Sequence, residues 1–178
     1  MSKAVLLAGA ALFGASITGV TAGVSNPTAI HAGFIPAHHT WIVREVNATG
    51  QYYGDGPLWD VTVYFYKDDG GALGDLVKKV DDSDFIDTDG SLSVRFHQPL
   101  FLRAGIYWIS IQSQMNFAKG DGEWGWVVNA VKAGNSSAWR NAGGAYGPCR
   151  YAGTTDSCLG GGSGFMFSLA GTDVTKKS

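Results

Sequence analysis

The stretch that decides the fold covers residues 59–71 and reads WDVTVYFYKDDGG. Val61, Val63 and Phe65 alternate there with polar and amphipathic residues, which is the period-two pattern of a β-strand with one apolar face. The Asp-Asp-Gly-Gly run at its end favours a chain reversal, because aspartate hydrogen-bonds its own backbone and glycine accepts positive φ angles. The stretch therefore predicts a strand followed by a tight turn.

Comparable runs of β-branched and aromatic residues recur along the chain between clusters of Gly, Asp, Asn or Pro. They predict further strands at Thr40–Val46, Leu73–Val80, Ser91–Leu102, Ile106–Ser113, Glu123–Val131 and Phe165–Ala170. Seven or more short strands with turns between them are typical of a single antiparallel β-sandwich. We therefore expect an all-β fold, with residues 172–178 as a frayed polar tail.

Composition agrees with this class and excludes one kind of partner. The chain of 178 residues holds 26 glycines and 12% aromatic residues, which suits short strands and tight turns. Its formal net charge is -2, and charged residues make up 16% of it. A protein that binds a phosphate backbone needs a basic excess, so we expect no nucleic-acid partner.

The N-terminal segment has the order of a secretory signal. Lys3 precedes the apolar run Ala4–Ile17, and small residues follow up to Ala22. We expect cleavage after Ala22, a mature domain over residues 23–178, a secreted or cell-surface location, and membrane contact only through the signal. Two alternatives stay open for residues 1–22: an uncleaved anchor, although the run is shorter than the ~20 residues of a membrane-spanning helix, or an assembly strand.

Two cysteines, Cys149 and Cys158, lie in a glycine-rich stretch. Export would place them where thiols oxidise, so the sequence predicts a disulfide between them. Two cysteines without a neighbouring histidine fall short of the four ligands of a structural zinc site.

Six segments of the chain carry a resemblance to a known group of domains. They read AGFIPAHHTWIVREVNATGQYY, WDVTVYFYKDDGGALGDLV, LRAGIYWISIQSQM, GEWGWVV, WRNAGGAYGPC and GFMFSLAGT. Their succession over residues 30–172 resembles secreted bacterial β-sandwich domains that occur alone, beside surface anchors or appended to exported hydrolases. The resemblance implies a jelly-roll-like sandwich and export. Ala32-Gly33 and Ala72-Leu73-Gly74 replace the acidic pair and the Gly-Leu-Pro-Gly expected in that group.

The stretch DDSDFIDTDG, residues 81–90, is the candidate metal site. Its acidic residues include Asp82, Asp84, Asp87 and Asp89, and clustered carboxylates bind hard cations such as calcium. Apolar Phe85 and Ile86 interrupt the ligand pattern of a calcium-binding loop, so solvated turn acids are the simpler interpretation. We expect no cofactor, with calcium as the alternative.

Aromatic residues are the main candidates for ligand binding. In a strand, Trp108 shares a face with Ser110 and Gln112, while Ile109 and Ile111 point to the other side. We expect Trp108 to be partly exposed and to stack on a sugar beside these polar groups. Trp139, among small and polar residues, is the second candidate. Trp124 and Trp126 share one strand face and are expected to fill the core.

The function that follows is binding rather than catalysis. Gly161–Gly164 lacks the spacing of a nucleophile elbow, and most acids lie in apparent turns, so we expect no enzyme. We expect a module for glycan or another cell-surface polymer. The alternative is a self-associating structural subunit, in which the N-terminal segment completes a neighbour's sheet by strand addition. The run from Ala4 to Val43, which contains no Asp, Glu, Lys or Arg, suits that role.

Overall fold

The fold is seen in a computed structural model of the whole chain. The structure describes residues 14–17, 35–81, 83–115, 123–129, 137–139, 153–154, 157 and 164–175. In these segments, Ser157 alone is helical, the elements with described bounds are β-strands, and every strand pairing is antiparallel. The expected all-β, antiparallel class is therefore confirmed. None of the described residues belongs to a helix with the length and apolar character needed to cross a membrane.

The strands are numbered in chain order. They are β1 (Gly14–Ile17), β2 (Ile35–Ala48), β3 (Gly50–Tyr53), β4 (Asp60–Asp69), β5 (Ala72–Val80), β6 (Ser83–Thr88), β7 (Ser91–Gly105), β8 (Tyr107–Gln114), β9 (Glu123–Trp126), β10 (Val128–Asn129), β11 (Ala138–Trp139), β12 (Gly153–Thr154), β13 (Gly164–Phe165) and β14 (Phe167–Thr175). A six-stranded sheet has the order β12-β11-β1-β8-β4-β5, and a four-stranded sheet has the order β14-β2-β7-β6. The pairs β10-β13 and β3-β9 form two smaller sheets.

The hairpin predicted from the alternating stretch is present as β4 and β5. Gly70 and Gly71 take positive φ angles of 61° and 90° at its turn, which only glycine adopts at little cost. The Gly71 amide donates to Asp68 Oδ2 at 2.9 Å, so the aspartate stabilises the turn as expected. On its other edge β4 pairs with β8 from Asp60↔Gln114 to Lys67↔Tyr107.

The four-stranded sheet is built from distant parts of the chain. β2 pairs on one side with β7 and on the other with the C-terminal β14. The register between β2 and β7 shifts between Val43 and Glu45. Against β14, the step from Glu45↔Ala170 to Val43↔Gly171 leaves Arg44 as one extra residue on β2. This β-bulge lets Val43 and Val46 both face the core.

The two larger sheets contribute to one hydrophobic core. Phe65 of the six-stranded sheet meets Phe96 of the four-stranded sheet edge to face, with ring centroids 6.0 Å apart. Trp124 and Trp126 belong to the same buried cluster, so the prediction that they fill the core is confirmed. Each buried aromatic ring of this size stabilises the folded state by a few kcal/mol, on the order of 3.

Two predicted boundaries are wrong. The acidic stretch after β5 is not only a turn, because it contains β6, which pairs with β7 from Ser83↔Phe96 to Thr88↔Ser91. Its signal was the Asp89-Gly90 dipeptide, whose φ angles of 50° and 91° close a tight hairpin. The tail predicted from Thr172 is also shorter than expected, since β14 continues to Thr175 against β2.

Candidate functional site

The predicted ligand-binding residues lie together on one surface of the six-stranded sheet. Ile109 and Ile111 of β8 belong to the core, so the alternate residues Trp108, Ser110 and Gln112 point away from it. Their register partners on β4 are Tyr66, Tyr64 and Thr62, which also point away from the core. We call these six residues the outer face of the six-stranded sheet.

Trp108 is not exposed on this face, contrary to the prediction. Only 1% of its surface is accessible, and its indole Nε1 donates to Asp68 Oδ1 at 2.8 Å. The alternation assigned Trp108 to the correct side of the strand, but that side is covered rather than open to solvent. The expected partial exposure of Trp108 is therefore wrong, and its role in ligand binding stays a prediction.

Ser110 and Gln112 have different environments. Ser110 is 2% exposed, and its Oγ has no hydrogen-bond partner among the described residues. A buried hydroxyl without a partner costs about 1–3 kcal/mol. Gln112 is half-buried, and its Oε1 accepts a hydrogen bond from the Tyr64 hydroxyl at 3.0 Å. Ser110 is therefore too buried to meet a ligand from solvent, whereas Gln112 remains partly accessible and its role in binding stays a prediction.

β1 lies directly beside this face. Its backbone pairs with β8 over Gly14↔Ser110, Ala15↔Ile109, Ser16↔Trp108 and Ile17↔Tyr107. Gly14 also pairs with Ala138 of β11, so β1 is an internal strand of the sheet. Residues 14–17 fall inside the segment that the sequence predicts to be a cleaved signal, and this overlap could not be read from the sequence.

Of the predicted residues, Trp139 is described by its backbone alone, and the two cysteines are not described. Trp139 is located only by its backbone, in β11 opposite Gly153. Cys149 and Cys158 lie outside the described residues, so the disulfide between them stays a prediction.

The four acidic residues proposed for calcium are not brought together in the described part of the chain. Asp84 is exposed and lies on β6 with its Oδ2 3.1 Å from His97 Nε2. Asp87 is at the opposite strand parity and half-buried, Asp89 lies in the hairpin turn, and Asp82 is outside the described residues. Among the residues described, no group of three or more His, Cys, Asp or Glu side chains could hold a metal ion.

Asp87 binds protein donors instead. Its Oδ1 accepts from the Gly90 amide at 2.8 Å, and its Oδ2 accepts from the Tyr52 hydroxyl. The Tyr52 oxygen in turn accepts from the Leu58 amide at 3.0 Å. Burial, followed by the hydrogen bond to Asp87, raises the pKa of Tyr52 to about 12. This carboxylate therefore ties β3 and the following loop to the β6–β7 hairpin.

Sequence reasoning missed two exposed aromatic side chains at the β3–β4 connection. Trp59 is 65% exposed and Tyr53 is 62% exposed. The Tyr53 hydroxyl accepts a hydrogen bond from Gln51 Nε2 at 2.5 Å. Both aromatics flank the turn-rich residues 54–58. That position was the available signal, because turn residues hold neighbouring side chains at the surface.

Comparison of the chain with protein-family models, with curated proteins and with solved structures gave no match. Its class therefore follows from its own structure: an all-β protein whose antiparallel sheets share one core and whose N-terminal segment contributes an internal strand.

Proposed function

We propose that this protein is an exported structural subunit that assembles with copies of itself, each copy completing the six-stranded sheet of the next. The main support is the position of β1 in the six-stranded sheet. This strand pairs with both β8 and β11, although it lies in the predicted signal. Cleavage after Ala22 would remove this strand. The mature sheet would then have a gap at its interior.

An open gap at β8 is costly. The backbone groups of β8 that pair with β1 would lose their partners, and unpaired backbone groups that are buried cost about 1–3 kcal/mol each. Trp108 and Ser110, which pair with β1, are nearly inaccessible in the chain that keeps β1, and its removal would open the edge of β8 beside them. A strand from elsewhere is the physical remedy, and a free strand edge is a template for another chain.

The chain's own remaining N-terminus is poorly suited to refill the gap. In sequence, residues 18–34 link β1 to β2. Cleavage after Ala22 leaves residues 23–34, which is less chain than that connection alone. This segment can reach a neighbouring copy without having to bridge two sheets of its own. It contains no Asp, Glu, Lys or Arg, which suits burial in a sheet.

The test compares two natural forms of the protein. The precursor, which keeps β1, should remain monomeric, whereas the chain beginning at Gly23 should form filaments visible by electron microscopy and show a light-scattering mass that rises with concentration. Removal of residues 23–34 should abolish filaments, and a synthetic peptide of residues 23–34 should bind that truncated chain. A mature chain that stays monomeric at all concentrations would overturn the proposal.

The matched control is Phe101→Ala. Phe101 lies on the outer side of the four-stranded sheet and is 61% exposed, away from the gap. Filament formation by this variant should equal that of the unchanged mature chain. Loss of filaments here would mean that assembly uses a surface of the four-stranded sheet instead of the gap at β8.

The proposal also includes the type of β-sandwich and the location of the protein. The two larger sheets would form a jelly-roll-like sandwich of the secreted type that the chain resembles. The protein would be non-catalytic, located outside the cell or on its surface, and stapled by the Cys149–Cys158 disulfide. Intact mass of the secreted protein, with and without reduction before thiol alkylation, checks the N-terminus and the bond together.

Glycan or surface-polymer binding is the second candidate function, now supported at a different place. The exposed faces of Trp59 and Tyr53 offer flat aromatic surface, and Gln51 supplies a polar group beside Tyr53. Stacking of this kind contributes on the order of 1 kcal/mol per ring. Trp59→Ala should then weaken binding to an immobilised glycan about fivefold to tenfold, as should Trp139→Ala if that side chain takes part. Binding that is unchanged in Trp59→Ala and Tyr53→Ala would remove this candidate.

A further inference from the structure

A row of four side chains crosses the outer side of the four-stranded sheet. Ser168 of β14 is the register partner of Asn47, Asn47 is the partner of Ser93, and Ser93 is the partner of Ile86 on β6. Val46 and Val94, the neighbours of Asn47 and Ser93, are buried in the core. The row therefore points to the opposite side of the sheet, which is the solvent side.

Asn47 begins the triplet Asn-Ala-Thr, which is the acceptor pattern for N-linked glycosylation. Ala48 is buried in the core, while Asn47 is half-buried and Thr49 is exposed. The amide and the hydroxyl that the pattern requires thus lie on the accessible side, and the small residue between them faces inward. Attachment of a sugar at Asn47 would leave the core unchanged.

The surface beside Asn47 has room for a sugar. A groove of about 390 Å³ is lined by Asn47, Ser93, Ser168 and Thr88 together with the apolar Ile86 and Met166. Hydroxyl groups next to apolar side chains match a pyranose ring, which has hydroxyls at its edge and C–H groups on its faces. Ile86 is among the most exposed large apolar side chains described, and a sugar over the groove would cover it.

We propose that Asn47 carries an N-linked glycan whose first sugar lies in this groove. In the transfer, the Asn47 amide nitrogen attacks the anomeric carbon of an oligosaccharide held on a lipid pyrophosphate. The new C–N bond forms as the bond from that carbon to the pyrophosphate oxygen breaks, the lipid pyrophosphate leaves with the electron pair, and the amide loses one proton to the transferase. The remaining amide N–H can still donate to Glu45 Oε1, as Asn47 Nδ2 does now at 3.0 Å.

The topology leaves time for this reaction. β2 is paired by β7 and by β14, and both strands follow it far along the chain. Such non-local pairings form late in folding. During export the Asn47 segment therefore lacks one of its two neighbouring strands until the C-terminal strand arrives, and in that interval a transferase can reach the Asn47 amide.

The experiment uses the full protein secreted by the cells that naturally produce it. Glycopeptide mass spectrometry with fragmentation should locate a sugar on Asn47. Thr49→Ala, which retains Asn47 and its hydrogen bond, should abolish the modification, whereas Thr49→Ser should retain it. A purely structural role of Thr49 would not distinguish these two variants in the mass of the peptide.

The second acceptor triplet, Asn135-Ser-Ser, supplies the matched control. Asn135→Gln should leave the modification at Asn47 unchanged. An Asn47 peptide found only unmodified in the native protein would overturn the proposal, and so would a sugar that persists in Thr49→Ala. The result is independent of assembly, because filament formation is measured separately and concerns the other sheet.

Discussion

The two larger sheets have similar inner faces and very different outer ones. Three of the six residues on the outer face of the six-stranded sheet, Thr62, Trp108 and Ser110, are buried almost completely. The outer side of the four-stranded sheet instead carries Glu45, Arg95 and other polar groups that contact one another and solvent. Because these residues are buried without belonging to the core, another segment of polypeptide must cover this face of the sheet.

This contrast predicts which residues control the stability of the fold and which lie on surfaces available for assembly. Residues between the sheets should determine whether the chain folds, because they lose contact with both sheets when changed. Residues on the covered outer face should have smaller effects, and those on the solvent side of the four-stranded sheet the smallest. Effects that depart from this order would remove the distinction between the two outer faces.

The largest effect is expected from Phe65→Ala. Phe65 is fully buried between the sheets and meets Phe96, so its removal should lower the free energy of unfolding by about 3–5 kcal/mol. Equilibrium denaturation followed by tryptophan fluorescence measures it. Phe101→Ala, a ring removed from the exposed side of the other sheet, should change the same quantity by less than about 0.5 kcal/mol. Equal losses in the two variants would mean that the outer side is also covered.

An intermediate effect is expected from Trp108→Phe. The variant keeps an aromatic ring but removes the Nε1 donor to Asp68, and a hydrogen bond to a charged group contributes about 1.5–3 kcal/mol. The free energy of unfolding should therefore fall by about 2 kcal/mol. Trp59→Phe, at an exposed position, serves as the control and should have almost no effect. A neutral Trp108→Phe would show that the indole hydrogen bond is not maintained in solution.

The same comparison explains what the sequence could and could not predict. The β4–β5 hairpin and the two sides of β8 were predictable, because alternation and turn residues act within a few positions. The burial of Trp108 was not, because it depends on chain that is distant in sequence. The acidic β6 was missed because its aspartates suggested only a turn, although Asp89-Gly90 is a hairpin signal.

The candidate sites follow the same rule. The pattern correctly grouped Trp108, Ser110 and Gln112 on one strand side, yet it gave no information on what covers them. The exposure of Trp59 had only one signal in the sequence, its place directly after the turn-rich residues 54–58, because the alternating pattern that follows it is compatible with core or surface. No periodicity indicated that residues 14–17 form an internal strand, because a signal segment and a buried strand are both apolar.

A smaller effect, of opposite sign, is expected from Ser110→Ala. The buried Ser110 Oγ has no partner among the described residues, so its removal eliminates a desolvated hydroxyl and should raise the free energy of unfolding by about 1 kcal/mol. Ser93→Ala, on the solvent side of the other sheet, should be neutral. If Ser110→Ala is destabilising, the Ser110 hydroxyl has a hydrogen-bond partner in solution. That partner would be a water molecule or a strand donated by another copy.

The smallest effect is expected at the ion pair on the solvent side of the four-stranded sheet. Arg95 Nη2 lies 3.3 Å from Glu45 Oε2, but the arginine is exposed, and pairs of this kind contribute under about 1 kcal/mol. A double-mutant cycle with Glu45→Gln and Arg95→Gln should give a coupling energy in that range, and added salt should reduce it further because ions screen exposed charges. Asn47 also donates to Glu45, so the Glu45→Gln step must be measured with and without Arg95 for the cycle to isolate the pair. A coupling energy well above 1 kcal/mol that does not respond to salt would require this side of the sheet to be shielded from solvent, and the difference between the two outer faces would then disappear.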